Sequence, residues 1–368
     1  MPAPLDGVTI LDFTRYQQGP FATVMLSDMG AEVIKVEERE HGDLGRALGL
    51  RPDGFCAYFE AHNRNKKSIT LDVRTDEGRK LVHQLAERVD VVAENFRPGV
   101  MDRLGIGYDA LSEINPRIIM ASASGFGRKG SKAKRPSYDV IGQAMGGIMV
   151  AQGGAGRDPQ MITGGFADHV GAMFLAFGVA MALIARDRYG VGQHVDASLL
   201  GGQIAFQPMA FLRHLQPAGP VGGYENPLFR AYECGDGSWL AIGILDPKVW
   251  PSLMRALGKP ELAVDPRFAE PQVRFQHSAE LRAELQAIFR SRPRREWMAR
   301  MEEHDVPAGP VLSHVEVAAD PDVIENEYIV EVEHPHIGTI RTPGVPVRLS
   351  KTPGTVRSAA PELGQHTE

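Results

Sequence analysis

The sequence predicts an α/β protein with a Rossmann-like large domain and a smaller α+β domain. Three observations carry this. Short β-rich runs alternate with helical spacing through the first 127 residues, which is the pattern of βαβ units on a parallel sheet. The stretch 216–227 holds three prolines and three glycines and reads as a linker. Beyond it the texture changes to a hairpin followed by helices.

In order, residues 8–13 (VTILDF) read as a strand that runs into Gln17, Gly19 and Pro20, followed by a helix over 21–29 closed by Gly30. Residues 31–37 (AEVIKVE) alternate as a second strand. Strands at 68–73, 90–94 and 118–122 follow, with a helix at 76–88 before the second of these. A loop rich in Arg, Lys, Gly and Ser at 125–137 leads to a helix over 138–150. The glycine-dense segment 153–165 then leads into Asp168 and an apolar helix. A strand at 193–197 and a helix at 199–215 complete the large domain, 1–215, to which the β runs of 329–368 return. The linker is 216–228 and the small domain 229–328, with strands 229–233 and 238–244 around Gly235-Asp236-Gly237 and helices at 248–257, 278–290 and 294–303.

Composition narrows the function. The chain has 368 residues, 43% hydrophobic, with 40 Lys+Arg against 46 Asp+Glu, so disorder is excluded and a phosphate-binding footprint for nucleic acid is not expected. The apolar run 170–185 has 16 residues, short of the roughly 20 that a membrane span needs, and reads as a buried core helix. No signal peptide is expected at the N-terminus. Cys56 and Cys234 form neither a disulfide framework nor a metal pair, which fits the cytoplasm. The histidines lack metal-ligand spacing, so no metal site and no cofactor are expected. Glycine patterns for dinucleotide or ATP binding and a GxSxG elbow are missing.

Asp168 draws attention because it follows flexible glycines at the start of the apolar helix. One reading is a helix N-cap. The other is a nucleophile, kept ionised at neutral pH by free backbone N–H groups and the positive helix end. His169 points about 100° away from Asp168 on a helix and reads as a core or surface histidine. Basic residues cluster at Arg64, Lys66 and Lys67, at Arg97 and Arg103, and at Arg128 to Arg135. Spread over loops of an α/β sheet, they suit a phosphate-rich ligand.

The succession LDFTRYQQGP (11–20), GAEVIKVE (30–37), HGD (41–43), NRNKKSITLDV (63–73) and ENFRPGVMDRLG (94–105), with the Asp168 region, resembles the family III CoA-transferases. This CaiB/BaiF group contains formyl-CoA and carnitine CoA-transferases and α-methylacyl-CoA racemase. The resemblance covers nearly the whole chain. It implies the CoA-transferase family III fold as an interlocked homodimer, with Asp168 as the catalytic aspartate and Gln17 near the reacting carbonyls. It implies coenzyme A contacts at Gln18, Leu71, Arg74, Asn95, Phe96, Arg97, Arg103 and Tyr138. Glu38 and Pro136 stand where relatives have basic residues, and Arg39 and Arg135 are their neighbouring substitutes by inference. Family members continue beyond a GQHT segment, so the end at 364–368 implies a longer tail. Gly222 and Gly223 fall where transferases have a glycine loop over the active site.

The implied activity is transfer of CoA from an acyl-CoA to a carboxylic acid through aspartyl anhydride and aspartyl-CoA intermediates. The racemase branch has a histidine where Tyr138 stands, and a phenol with a pKa near about 10 is a poorer base for an α-proton. Racemisation, and CoA binding without turnover, are the alternatives.

Overall fold

Six parallel strands, Thr9–Asp12 (β1), Glu32–Glu37 (β2), Lys67–Thr70 (β3), Val91–Glu94 (β4), Ile119–Ser124 (β5) and Gln193–Ser198 (β6), form one sheet in the order β3-β2-β1-β4-β5-β6. This is the doubly wound order expected of a Rossmann-like domain. The computed structural model describes residues 2–154, 156–216 and 226–368. The helices of this part are α1 (Gln18–Asp28), α2 (Ala57–Asn63), α3 (Asp76–Ala86), α4 (Val100–Arg103), α5 (Tyr108–Ile114), α6 (Asp139–Met145), α7 (Ile148–Gly153), α8 (Phe166–Tyr189), α9 (Leu199–Phe206) and α10 (Pro208–Leu215).

The central strands β1, β4 and β5 are buried almost throughout because both faces of the sheet are covered, whereas β3 and β6 at its edges are polar and partly exposed. Ile10, Val33, Val91, Ala93 and Ile119 pack against Leu26 of α1 and Leu175, Val179 and Leu183 of α8. The alternate residues Leu11, Val36, Val92 and Met120 meet Val82 and Ala86 of α3 and Leu111 of α5. Among the described residues α8 is long and apolar enough to cross a membrane, and half of that apolar stretch is buried in this packing.

Several boundaries differ from the sequence reading. The helix expected over 138–150 is two, α6 and α7, because Gly146 and Gly147 intervene and Gly147 has φ 82°. The helix expected over 199–215 breaks at Gln207, the residue before Pro208, whose ring excludes helical backbone there. The third strand ends at Thr70, three residues early, and α2, α4 and α5 are too short to show a periodic signal.

The chain forms two compact units, Met1–Gly219 with Pro321–Glu368, and Pro220–Asp320. The expected linker at 216–228, with Gly222 and Gly223, lies mostly outside the described residues. In the smaller unit, Phe229–Glu233 (β7), Trp239–Gly243 (β8) and Ala308–Pro310 (β9) make an antiparallel sheet. Its core holds Tyr232, Phe289 and Trp297, with helices α11 (Trp250–Leu257), α12 (Pro271–Gln276), α13 (Ser278–Phe289), α14 (Arg294–Glu303) and α15 (His314–Ala318). Helix α16 (Pro321–Glu325) belongs to the larger unit, where it precedes the hairpin Ile329–His334 (β10) and Gly338–Pro343 (β11). The C-terminal segment covers the β3 edge: His366 N donates to Ser68 O at 2.8 Å and Thr70 N to Thr367 Oγ1 at 3.0 Å.

Leu175 is fully enclosed where α8 meets the sheet. Leu175→Ala is expected to cost about 2–5 kcal/mol, read as a lower urea midpoint.

Candidate active site

The sheet order reverses between β1 and β4, and loops leaving their carboxyl ends part there to form a crevice. The β1–α1 loop is held against the β4–α4 loop by Asn95, whose Oδ1 accepts from Arg15 N at 2.8 Å and whose Nδ2 donates to Arg15 O at 2.7 Å. Glu94 fixes the second loop by accepting from Phe96 N at 2.8 Å, and burial pushes its carboxyl up to about 7. A cavity of about 190 Å³ opens between these loops and the start of α8. It brings together Gln17, Gln18, Asn95, Phe96, Arg97, Arg135, Tyr138 and Asp168, all expected site residues, and adds Tyr16 and Ser137. Phe96 also lines a second hollow with Leu71 and Arg74. Arg39 and Arg103 are exposed and line neither.

Asp168 is neither the N-cap nor held ionised by its own helix end. Gly165 is the N-cap, and Asp168 is the third residue of α8. The first-turn amides are taken by a different carboxylate: Asp139 Oδ1 accepts from Ala167 N at 2.6 Å and from Asp168 N at 3.2 Å. Gln143 steadies Asp139 through a 2.6 Å bond to Oδ2 and pins Ile162 of the glycine-dense segment through both of its amide atoms. Asp168 therefore has a half-buried carboxyl, facing the cavity, next to a like charge. Burial, with Asp139 adding to it, pushes the carboxyl up to about 7. A carboxylate so destabilised is a better nucleophile than an exposed one, at the cost of being partly protonated at neutral pH.

Gln17 lies across Gly165. A Cβ on Gly165 would fall 1.8 Å from Gln17 Nε2, and Gly165 has φ 76°, so glycine is required there on both counts. The Gln17 amide nitrogen donates to Gly164 O at 3.3 Å and lies 3.3 Å from His169 Nε2. His169 thus packs behind Gln17 without lining the cavity. Its Nε2 is 3.2 Å from His62 Nε2, Phe21 packs on its ring, and burial pushes both imidazoles down, His62 to about 4. Gln18 Nε2 and Ser137 Oγ are buried without hydrogen-bond partners among the described residues.

Arg74, expected as a coenzyme A contact, is paired with Asp72 at 2.9 Å and Glu38 at 3.2 Å. Tyr138 is exposed, with Tyr16 edge-on at 6.0 Å between ring centroids. Sequence reasoning missed Tyr16, His62 and Asp139. Asp139 directly follows Tyr138 at the start of a predicted helix, which gave a local signal, but its role lies at another helix 28 residues away.

Residues 5–367 match the family described as CoA-transferase family III. The chain is 39% identical to a succinyl-CoA–D-citramalate CoA-transferase of Chloroflexus aurantiacus, covering 99% of this chain and 92% of the relative. It is 37% identical to an acetyl-CoA:oxalate CoA-transferase of Acetobacter aceti, covering 94% and 89%. A crystal structure of a CaiB/BaiF family protein from Brucella suis superposes with a TM-score of 0.87 at 34% identity, covering 100% and 98%.

With its carboxyl pushed up to about 7, Asp168 is an anion only above that pH, so the rate of any reaction at this carboxylate is expected to rise with pH through about 7 and then level off. Asp139→Asn keeps an acceptor for the α8 amides but removes the like charge, so the rising limb moves to lower pH in a stopped-flow profile. The same raised pKa makes folded-state stability fall as pH rises through about 7. Asp168→Asn should accordingly raise the thermal midpoint relative to the parent at pH 8 more than at pH 5.

Proposed function

The chain belongs to CoA-transferase family III and is a CoA-transferase, and on that premise we propose that it moves CoA from an acyl-CoA to a dicarboxylic acid through covalent chemistry at Asp168. The observation that carries the reading is the half-buried Asp168 carboxyl, set in one cavity with Gln17 and pushed up by desolvation and Asp139. The relatives named for D-citramalate and oxalate support a dicarboxylate acceptor.

A carboxylate oxygen of Asp168 attacks the donor thioester carbonyl, the C–S bond breaks, and CoA leaves as thiolate from a mixed anhydride. The thiolate then attacks the aspartyl carbonyl. This frees the donor acid as its carboxylate and leaves Asp168 as a CoA thioester. The acceptor carboxylate attacks that thioester to form a second anhydride and thiolate, and attack of the thiolate on the acceptor's carbonyl releases the new acyl-CoA and restores Asp168. Charge and acyl activation are conserved at every step, so neither a metal nor a redox partner is required.

Gln17 donates an N–H to the oxyanion of each tetrahedral intermediate, its 3.3 Å contacts at rest being long enough to be redirected. A neutral amide does this without pairing with Asp168. The hollow with Leu71, Arg74 and Phe96 suits the nucleotide end of CoA, with Asn95, Arg97, Arg135 and Tyr138 along the path to Asp168 and with Arg39 and Arg103 outside it. Arg74 must then exchange its carboxylate partners for phosphate. Tyr138 in place of a histidine favours transfer over racemisation, since both imidazoles near Asp168 are depressed and occupied with one another.

The exposed apolar stripe Met173, Phe174, Phe177, Met181 and Ile184 on α8 supports a homodimer, which sedimentation velocity reads directly. Two free, buried cysteines support a cytoplasmic setting.

Incubation with succinyl-CoA followed by hydroxylamine should place a hydroxamate on Asp168 in peptide mass spectra. Asp168→Ala is expected to lower transfer to oxalate, glutarate or citramalate by about 10³-fold or more, while EDTA leaves the parent rate unchanged. An adduct on a different residue, or deuterium exchange at the α-carbon without an acceptor, would refute the reading.

A further inference from the structure

The HGD segment carries no role in the reaction as read so far, yet its aspartate sits directly beneath the Gln17 loop. Asp43 is 2% exposed and Lys35 fully buried, and Lys35 Nζ meets Asp43 Oδ2 at 2.8 Å. Both groups also grip the β1–α1 loop. Asp43 Oδ1 accepts from Tyr16 N at 3.0 Å, and Lys35 Nζ donates to Thr14 O at 2.7 Å. Asn95 holds Arg15 between them, so residues 14, 15 and 16 are each fixed immediately before Gln17.

Tyr16 needs such a hold. Its φ is 65°, a left-handed conformation that side chains other than glycine rarely adopt. A buried ion pair is weak evidence for stability, since apolar residues of similar volume serve as well. What an apolar pair cannot do is present an acceptor to Tyr16 N and a donor to Thr14 O.

We propose that Asp43, paired with Lys35, is a positioning residue for CoA transfer: it fixes the left-handed Tyr16 turn and through it the Gln17 amide in the Asp168 cavity. The inference rests on the role given above to Gln17 and Asp168. The pair is set up for this task, because burial pushes the Asp43 carboxyl up while Lys35 and the Gly45 and Tyr16 amides more than reverse it, so a full carboxylate faces the loop. A second buried pair, Lys66 with Asp12 at 3.0 Å, backs it: Asp12 Oδ1 accepts from Thr14 N and Oδ2 from Thr23 Oγ1.

The test is a double-mutant cycle on the donor–acceptor pair that the parent turns over, using Gln17→Ala, Asp43→Ala, which removes the acceptor for Tyr16 N, and the two together. Asp43→Ala should lower kcat about 100-fold, the cost of a misplaced reacting group. The donor KM should stay within about threefold of the parent, and the combined variant should be no slower than Gln17→Ala alone. Multiplying losses, or a parent-like kcat for Asp43→Ala, would overturn the proposal. If Asp43→Ala does not fold because Lys35 is left unpaired, Lys35→Met with Asp43→Ala, which buries no charge, takes its place in the same cycle. Asp168→Ala is assayed alongside. Parent-like transfer by that variant means the proposed mechanism has failed, whereas an inactive Asp168→Ala beside a parent-like Asp43→Ala refutes the positioning role alone.

Discussion

A carboxylate loses basicity when hydrogen-bond donors or cations stabilise it as an anion. Asp168 is spared its own helix amides by Asp139, which takes them and presents a like charge. Had Asp168 capped its own helix, two N–H donors and the positive helix end would have held it as an inert anion. Moving the cap to α6 gives the helix what its terminus requires and leaves the carboxyl free.

Nearby positive charge is handled in the opposite manner. Lys35 and Lys66 are both fully buried beneath the β1–α1 loop, and each is bound to a carboxylate of its own, Asp43 or Asp12. Burial pulls Lys66 down to about 8, but three oxygens, from Asp12, Pro20 and Asn63, surround its ammonium. Their charge is spent on backbone geometry instead of on Asp168. The site is thus divided: ion pairs below fix the loop, while the cavity above holds a raised carboxyl with neutral amides, and Arg97 and Arg135 line it with exposed side chains.

Glycines complete the arrangement where space decides. Gly165 starts α8 with a positive φ and gives room to the Gln17 amide, so one residue serves both the helix start and the approach of its partner. The glycine-dense segment before it is held by Gln143, which is fully buried and bonds Ile162 through both its amide atoms.

The parallel sheet, the strand–helix alternation and the long apolar helix are legible in the sequence because each depends on spacing within a few residues. Asp168 stands out for the same reason, beside glycines before an apolar run, whereas Gln17 was marked only by the family resemblance. Whether Asp168 is ionised was not legible, since that turns on Asp139, 29 positions away, and on burial. The same holds for the pairing of His62 with His169 across 107 positions and of Arg15 with Asn95 across 80. Local pattern determines which elements form; the charge on a buried group is set by whatever the fold brings within a few ångströms of it, and only the tertiary structure decides that.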